Sequence, residues 1–312
     1  MKKNALSLLV AGMCLFACTK DSNTEDTAPE VKKKYPISVD LTEFIQKTES
    51  LDDPGARKTG NGKTGRDSSL RKITDIYYLL LYPPSNYLLT YRHQNIDTDS
   101  AHFGEIRDTL YSNENYIIYL LASDTIVNIQ RSGDPYYINT GINASGDFVP
   151  FKDLFATKIP IRTDTGNMPL QPILTRAVGN LQVEVLDGGL NPFYNISVAV
   201  SGEYSQVGID NLIQGTSGVG ASRILYLQKT SSTLFSSNII NTTGTLTVTI
   251  TAKHKYTGDE IQKVVNGVVC YKNKRTTVTG SMGIPGAAPS SSRDFQVKVN
   301  EGWDPNDNNI GF

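Results

Sequence analysis

The sequence predicts an all-β protein in which two tandem antiparallel β-sandwich domains follow an N-terminal export signal. Apolar residues alternate with polar ones along many short segments, as at Leu181, Val183 and Val185, and a period of two indicates half-buried strands. The 312 residues include 26 Gly and 16 Tyr, a composition suited to strands joined by many turns. In the second half of the chain no helical stripes separate the short strands, which favours an antiparallel sandwich.

Residues 1–17 have the layout of a secretory signal peptide. Lys2 and Lys3 form a short positive region, an apolar run follows, and Ala17 stands directly before Cys18. The run is too short to span a membrane. A cysteine at this place resembles a bacterial lipoprotein signal, so we expect Cys18 to carry lipid and to anchor the chain in the outer membrane. An ordinary signal peptide that happens to contain cysteines is the alternative.

Length and charge set the broad organisation. A chain of 312 residues suits two domains, which we place at residues 35–172 and 173–312. Residues 18–34 are polar and predict a flexible linker. The formal net charge of −1 gives no basic field, so nucleic acid is not an expected partner.

The first half of the chain contains one strong strand signal and one unusual loop. Residues 37–41 alternate apolar and polar side chains and predict a first strand. Residues 52–69 hold glycines and basic residues with almost nothing apolar, as in a long exposed loop. The nearly continuous apolar run at 73–81 predicts a central strand, and the apolar spacing within 103–110 predicts a short helix. Further strands are predicted at residues 87–91, 116–122, 125–129 and 158–161.

Alternation is cleaner in the second half. Asn266-Gly267 is the dipeptide favoured in two-residue hairpin turns, so we expect it to join strands at 261–265 and 268–271. The other predicted strands cover residues 181–185, 196–200, 223–227, 246–252, 275–279 and 295–299.

The sequence carries no pattern that predicts catalysis. His93, His102 and His254 have no ligand-like spacing, so neither a metal site nor a histidine-based catalytic centre is expected. Cys270 is the one cysteine outside the predicted signal and lipid site, and its apolar neighbours fit a core residue better than a nucleophile. We therefore expect a protein without enzymatic activity that needs no cofactor and no metal ion.

Several stretches carry a resemblance to a known family. The lipoprotein cysteine is followed by a short strand, a basic loop and a strong strand at residues 70–82. Residues 115–122, NYIIYLLA, are similar to a family segment with the pattern aG-Y-x-i-x-x-x-A. Residues 174–183, LTRAVGNLQV, are similar to its l-x-R-x-v-A-k-v-x-V motif, with Gly179 and Asn180 in place of Ala-Lys. In this order of parts the chain resembles the fimbrillin superfamily, surface lipoproteins of Bacteroidales that form the subunits and anchors of fimbriae.

This resemblance implies two transthyretin-like β-sandwiches and polymerisation with other fimbrial subunits by strand exchange. In fimbrillins an Arg-specific protease removes the first strand of the subunit, and a segment of a neighbouring subunit fills the open groove. The removable strand would be residues 37–41 here, and the cleavage site Arg57 or Arg66. A cell-anchored subunit that is not cut is the alternative. Residues 295–312 would be the donated strand or the last strand of their own domain.

A second functional hypothesis is a monomeric surface lipoprotein that binds glycans. Such a protein needs an exposed platform of two or three aromatic rings, for which Tyr136, Tyr137 and Trp303 are the candidates. Under the fimbrial hypothesis, a receptor on host or bacterial surfaces would be a further partner.

Overall fold

The chain folds almost entirely into β-strands, which confirms the all-β class. The computed structural model describes residues 32–45, 73–83, 86–130, 136–139, 153–164, 166–187, 191–214, 222–285 and 294–299. In the first half the strands are β1 Lys34–Asp40, β2 Asp75–Tyr82, β3 Tyr87–Asn95, β4 Glu105–Tyr111, β5 Asn115–Ser123, β6 Asn128–Gln130, β7 Tyr137–Asn139, β8 Leu154–Arg162 and β9 Met168–Leu170. They continue with β10 Thr175–Arg176, β11 Gly179–Val185, β12 Tyr194–Tyr204, β13 Gln206–Gly208, helix α1 Ile209–Gln214, β14 Ser222–Tyr226, β15 Gln228–Lys229, β16 Leu234–Ile239, β17 Thr245–His254, β18 Glu260–Val269, β19 Arg275–Gly280 and β20 Gln296–Val299.

The described strands form five sheets within one compact unit, residues 34–312. Sheet A has the order β4-β1-β9, sheet B the order β10-β8-β5-β2-β3, and sheet C the order β13-β7-β6. Sheet D has the order β15-β16-β11-β19-β20, and sheet E the order β14-β12-β17-β18. No helix among the described residues is long and apolar enough to span a membrane. The predicted division of the chain after residue 172 stays a prediction.

The central strands β2 and β5 of sheet B are buried on both faces, which explains the continuous apolar run of β2. Successive side chains of a strand point to opposite faces. The residues on one face join a first core shared with sheet A: Ile76, Tyr78 and Leu80. Those on the other face join a second core shared with sheet C and α1: Tyr77, Leu79 and Leu81. The central strand predicted at 73–81 is thus confirmed.

The second core is built from both halves of the chain. Strand β13 and helix α1 lie in the connection between β12 and β14, and they contribute Val207, Ile209 and Leu212 to it. Strand β13 pairs with β7, so sheet C joins strands from both halves. The third core lies between sheets D and E and contains the alternating apolar residues of β11, β12 and β17. These sheets with their shared cores confirm the predicted sandwich architecture.

The prediction of a helix within residues 103–110 is wrong, because residues 105–110 lie in β4. Ile106 and Leu110 are buried, and Asp108 between them is half-buried on the same face. A spacing of four residues fits one helix face and also one strand face, since four is a multiple of two. Pairing of β4 with β1 along its whole length decides the outcome.

The prediction of a hairpin turn at Asn266-Gly267 is also wrong, because β18 runs through this dipeptide without reversing direction. Leu246 pairs with Val268 and Val248 with Val265, so two residues of β18 oppose one residue of β17. Gly267 has φ of +72°, as a β-bulge of this kind requires. The dipeptide supplies the same left-handed backbone that a turn would need, and the strand uses it to bend.

Arg176, the arginine of the LTRAVGNLQV segment, connects sheet B to the turn before β19, which belongs to the half of the chain that forms the third core. Its Nε and Nη2 donate to the two carboxylate oxygens of Asp153 at 2.9 and 3.1 Å. Its Nη1 donates to the side-chain oxygen of Asn273, in the turn before β19, at 2.9 Å. The guanidinium also lies over the ring of Phe155, 5.0 Å from its centroid. Both Arg176 and Asp153 are buried, so the pair is shielded from solvent.

Glu203 is a second buried titratable side chain, located beside a β-bulge of β12. The preceding residue, Gly202, has φ of +94°. The backbone N–H groups of Ile240 and Asn241 donate to the carboxylate at 3.2 Å. Burial raises the pKa of Glu203 to about 7, although Arg223 and these N–H donors favour the ionised form. The side chain therefore fixes β12 to the turn after β16 at the cost of burying an acid.

We expect Arg176→Met to lower the free energy of unfolding by about 3–5 kcal/mol, because it leaves the Asp153 carboxylate buried without its guanidinium. The matched control is Arg162→Met, which removes an exposed pair with Asp164 and should cost about 0–1 kcal/mol. Urea unfolding measures both values. Equal losses in the two variants would contradict the structural role of Arg176.

We also expect stability to fall as pH rises from about 5 to 7, through Glu203. The unfolded side chain ionises near 4.5, whereas the folded one keeps its proton up to about 7. Because one pKa unit corresponds to about 1.4 kcal/mol, this contribution reaches at most about 3 kcal/mol. Urea unfolding across this range should show the dependence weakened in Glu203→Gln and unchanged in the exposed Glu260→Gln. Parallel pH profiles for the wild type and Glu203→Gln would refute it.

Candidate functional site

Strand β1 lies at the centre of the candidate site because it holds sheet A together. It pairs antiparallel with all seven residues of β4 and parallel with all three residues of β9. In the part of the chain that the structure describes, β4 and β9 do not pair with each other, so β1 alone joins them. Without β1, both strands would present unpaired backbone groups to a gap one strand wide.

One face of β1 presents an apolar row to the first core. Ile37, Val39 and Leu41 are 3%, 2% and 0% exposed, and they alternate with residues of the outer face. They belong to the same core as Tyr78 and Leu80 of β2. Burying a side chain of this size contributes about 1.5–3 kcal/mol. A strand that replaced β1 would therefore have to supply apolar side chains at the same alternate positions.

Two local contacts fix the chain at the end of β1. The Asp40 carboxylate accepts hydrogen bonds from the hydroxyl and the N–H of Thr42, and these bonds lower the pKa of Asp40. The N–H of Leu41 donates to the carbonyl of Gly104 at 2.9 Å. Gly104 has φ of +94°, and a Cβ there would lie 2.9 Å from Cδ1 of Ile45. The left-handed backbone conformation favours glycine here, whereas the end of the Ile45 side chain could shift to make room for a Cβ.

A cavity of about 560 Å³ opens beside β1. It is lined by Pro36, Ile37, Ser38, Arg92, Arg107, Asp108, Thr109 and Asn167. The Arg92 guanidinium lies 3.6 Å from the Asp108 carboxylate. The same carboxylate accepts a hydrogen bond from the Tyr78 hydroxyl at an O–O distance of 3.2 Å. Burial raises the pKa of Tyr78 above its usual value, so this hydroxyl remains a donor. Space open to solvent thus borders β1 at residues 36–38.

The site residues predicted from the sequence have different locations. Tyr136 is 7% exposed, packs in the second core and donates its hydroxyl to the carbonyl of Asn86 at 3.0 Å. The neighbouring Tyr137 is half-buried in β7. The core encloses the ring of Tyr136, so these two tyrosines do not form an exposed pair. The remaining predicted residues lie outside the described part of the chain: Cys18, Arg57, Arg66 and Trp303.

Cys270 and His93 are engaged in packing and in contacts with neighbouring side chains. Cys270 is fully buried in the third core, where burial raises the pKa of its thiol to about 12, so its predicted core role is confirmed. His93 places Nε2 2.7 Å from the Asp75 carboxylate and stacks on the ring of Tyr77 at 4.4 Å. Among the described residues, no group of three or more His, Cys, Asp or Glu is placed to hold a metal ion.

Sequence reasoning missed an exposed group of aromatic rings at one end of sheet E. Phe193 and Tyr256 are 49% and 79% exposed and lie beside His254. The two rings are far apart in sequence, and the pairing of β12 with β17 brings them together. No local sequence pattern predicts such a cluster, because Phe193 and Tyr256 lie in two different turns.

Comparison with known proteins gives similarity in structure alone. No protein-family model matches the chain, and no curated protein matches its sequence. Among solved structures, the fimbrial anchor protein Mfa2 from Porphyromonas gingivalis is similar at a TM-score of 0.48 and 12% identity, over 87% of this chain and 98% of that one.

Two further fimbrial structures are similar over most of both chains. A fimbrial assembly protein from Parabacteroides distasonis has a TM-score of 0.46 and 10% identity, over 86% of this chain and 99% of that one. The tip fimbrial protein Mfa3 from Porphyromonas gingivalis has a TM-score of 0.41 and 9% identity, with the same coverage of 86% and 99%. Similarity at this level assigns no role to any residue of this chain. All three of these similar structures are fimbrial proteins.

Proposed function

We propose that this protein is a structural and adhesive subunit or anchor of a bacterial surface fimbria that assembles by exchange of strand β1. The observation that carries the proposal is the position of β1 between two strands that do not pair with each other. Its buried apolar row, Ile37, Val39 and Leu41, would leave matching pockets in the first core on departure. A gap with two unpaired strand edges and vacant apolar pockets is a site that an extended segment fills by strand addition.

The covalent connections of β1 suit removal. On its C-terminal side β1 reaches the rest of the chain only through the segment that contains Arg57 and Arg66. A cut after either arginine would leave β1 held by noncovalent contacts alone. If Cys18 carries lipid, the cut followed by departure of β1 would separate the sandwiches from the membrane. An uncut chain would then serve as an anchor at the cell surface, and a cut chain as a polymerising subunit.

The C-terminal strand β20 is suited to donation. It lies at the edge of sheet D, pairs with β19 through four residues, and has all four of its side chains exposed. Phe295, Val297 and Val299 alternate in the manner of Ile37 and Val39 of β1. Phe295 packs over Gly280, where a Cβ would lie 2.5 Å from its Cγ. Release of β20 would break its pairing with β19 and uncover Phe295, which also packs against the third core, whereas Val297 and Val299 are already exposed. Its apolar residues have the spacing of the vacated pockets.

Arg-specific proteolysis tests the strand-exchange mechanism. We expect an Arg-specific protease to cut the purified chain after Arg57 or Arg66, and the cut protein to form ladders that resist sodium dodecyl sulfate. The double variant Arg57→Lys/Arg66→Lys should give no ladder, whereas Arg162→Lys, which changes an exposed arginine of β8, should behave as wild type. Cleavage after Arg57 or Arg66 that yields no oligomer would contradict the strand-exchange mechanism.

A peptide competitor tests whether the vacated gap is the contact between subunits. A synthetic peptide with the sequence KYPISVDL, residues 34–41, should block ladder formation because it refills sheet A. The control peptide carries aspartate at the positions of Ile37 and Val39, which destroys the apolar row and should not inhibit. Equal effects of both peptides would place the contact elsewhere.

Mass spectrometry of the protein from its native outer membrane separates subunit from anchor. For a polymerising subunit we expect an N-terminus directly after Arg57 or Arg66, whereas an acylated Cys18 on the uncut chain is expected for a permanent anchor. Finding Cys18 present but without lipid would contradict the anchoring part of the proposal.

A further inference from the structure

Four aromatic rings form a cluster at one end of the third-core sandwich. Phe193 and Tyr194 stand at the start of β12, His254 ends β17, and Tyr256 lies in the turn between β17 and β18. The ring of His254 is central, with centroid distances of 4.9 Å to Tyr194, 6.1 Å to Tyr256 and 6.3 Å to Phe193. The rings of Phe193 and Tyr256 are 5.9 Å apart. We call this group the ring cluster.

The ring cluster is held by backbone pairing. Tyr194 and His254 are register partners in sheet E, and the N–H of Lys255 donates to the carbonyl of Phe193 at 2.8 Å. The turn closes through the N–H of His254, which donates to the carbonyl of Asp259 at 2.8 Å. The exposed rings therefore stand on a rigid hairpin, which lowers the entropy cost of ordering them on binding.

The hydrogen bonds of the turn set the tautomer of His254. The N–H of Thr257 donates to Nδ1 of His254 at 3.1 Å, so Nδ1 must carry a lone pair. The hydroxyl of Thr257 lies 3.0 Å from the same atom, but its proton is donated to the Asp259 carboxylate at 2.7 Å. The proton of the neutral ring is thus on Nε2. The ring cluster consequently contains one N–H donor among apolar ring surfaces.

This combination fits a carbohydrate better than a protein partner. Aromatic faces carry negative quadrupole charge and attract the C–H face of a sugar ring, while hydroxyls need polar partners nearby. The cluster is bordered by charged and polar residues, among them Lys255, Asp259 and the exposed pair of Lys253 with Glu260. A stable protein interface needs about 800 Å² on each partner, far more apolar surface than four partly covered rings offer.

The exposed rings are inclined to one another. Phe193 is tilted by 54° to Tyr256 and by 38° to His254, so the rings do not form one continuous flat stacking surface. Each exposed ring can instead stack on one C–H face of a sugar. We propose that the ring cluster binds a neutral pyranose unit of a surface glycan. Phe193 and Tyr256 contact its C–H faces, and Nε2 of His254 donates to one hydroxyl.

A glycan array tests this site with the full, uncut chain, so the outcome does not depend on strand exchange. We expect binding to a subset of neutral oligosaccharides that falls at least tenfold in Phe193→Ala and in Tyr256→Ala. Tyr256→Phe should retain binding because the ring remains. The matched control is Tyr226→Ala, since Tyr226 is 63% exposed on β14, outside the ring cluster, and its loss should change nothing.

A second variant separates sugar recognition from simple hydrophobic adhesion. His254→Phe keeps a ring of similar size and removes the Nε2 donor, so we expect it to weaken glycan binding several-fold while retention on a phenyl resin does not decrease. Circular dichroism and thermal unfolding verify that each variant is folded. Absence of binding to every glycan on the array by the folded wild type, or equal glycan binding by wild type and Tyr256→Ala, would overturn the proposal.

Discussion

The fold depends on the burial of the central strands of sheet B, β2 and β5, on both faces. Strand β2 carries large apolar side chains in both directions, so each face needs a cover, and leaving one face bare would cost about 1.5–3 kcal/mol for every exposed side chain. Sheet A covers one face. Sheet C and α1 cover the other, and they draw β13 and α1 from the second half of the chain. The second half therefore completes a core of the first half, and the two halves stabilise each other through it.

The two covers of sheet B differ in how they are attached. Strand β13 and helix α1 lie within the β12–β14 connection and are tethered at both ends, whereas β1 precedes every other described strand and is joined to them only on its C-terminal side. Under the proposed mechanism, an intact tether would make rebinding of β1 intramolecular, which would favour β1 over a segment from another subunit. A cut would remove this advantage without changing any contact, so the closed sheet would become an acceptor.

Particular residues show how far the sequence specifies this fold. The uninterrupted apolar run of β2 predicts a strand buried on both faces, and the alternation of Leu181, Val183 and Val185 predicts a strand with one apolar face. Local patterns fail where one pattern serves two structures. The spacing of Ile106 and Leu110 fits a helix and a strand alike, and Asn266-Gly267 supplies left-handed backbone to a turn or to a bulge. In both cases pairing with a strand distant in sequence decides the structure, and the local sequence pattern does not contain that information.

The same reasoning explains why the ring cluster was not predictable and why it is suited to recognition. Phe193 and Tyr256 meet only because Tyr194 and His254 are register partners, so a shift of one residue in β12 would turn these rings to the opposite face of sheet E. The third core fixes that register through alternating apolar residues of β12 and β17. None of the four ring residues belongs to the first core that β1 closes. Under both proposals, loss or replacement of β1 would not remove a residue of the ring cluster, so one subunit could polymerise through sheet A and bind a glycan at the end of sheet E.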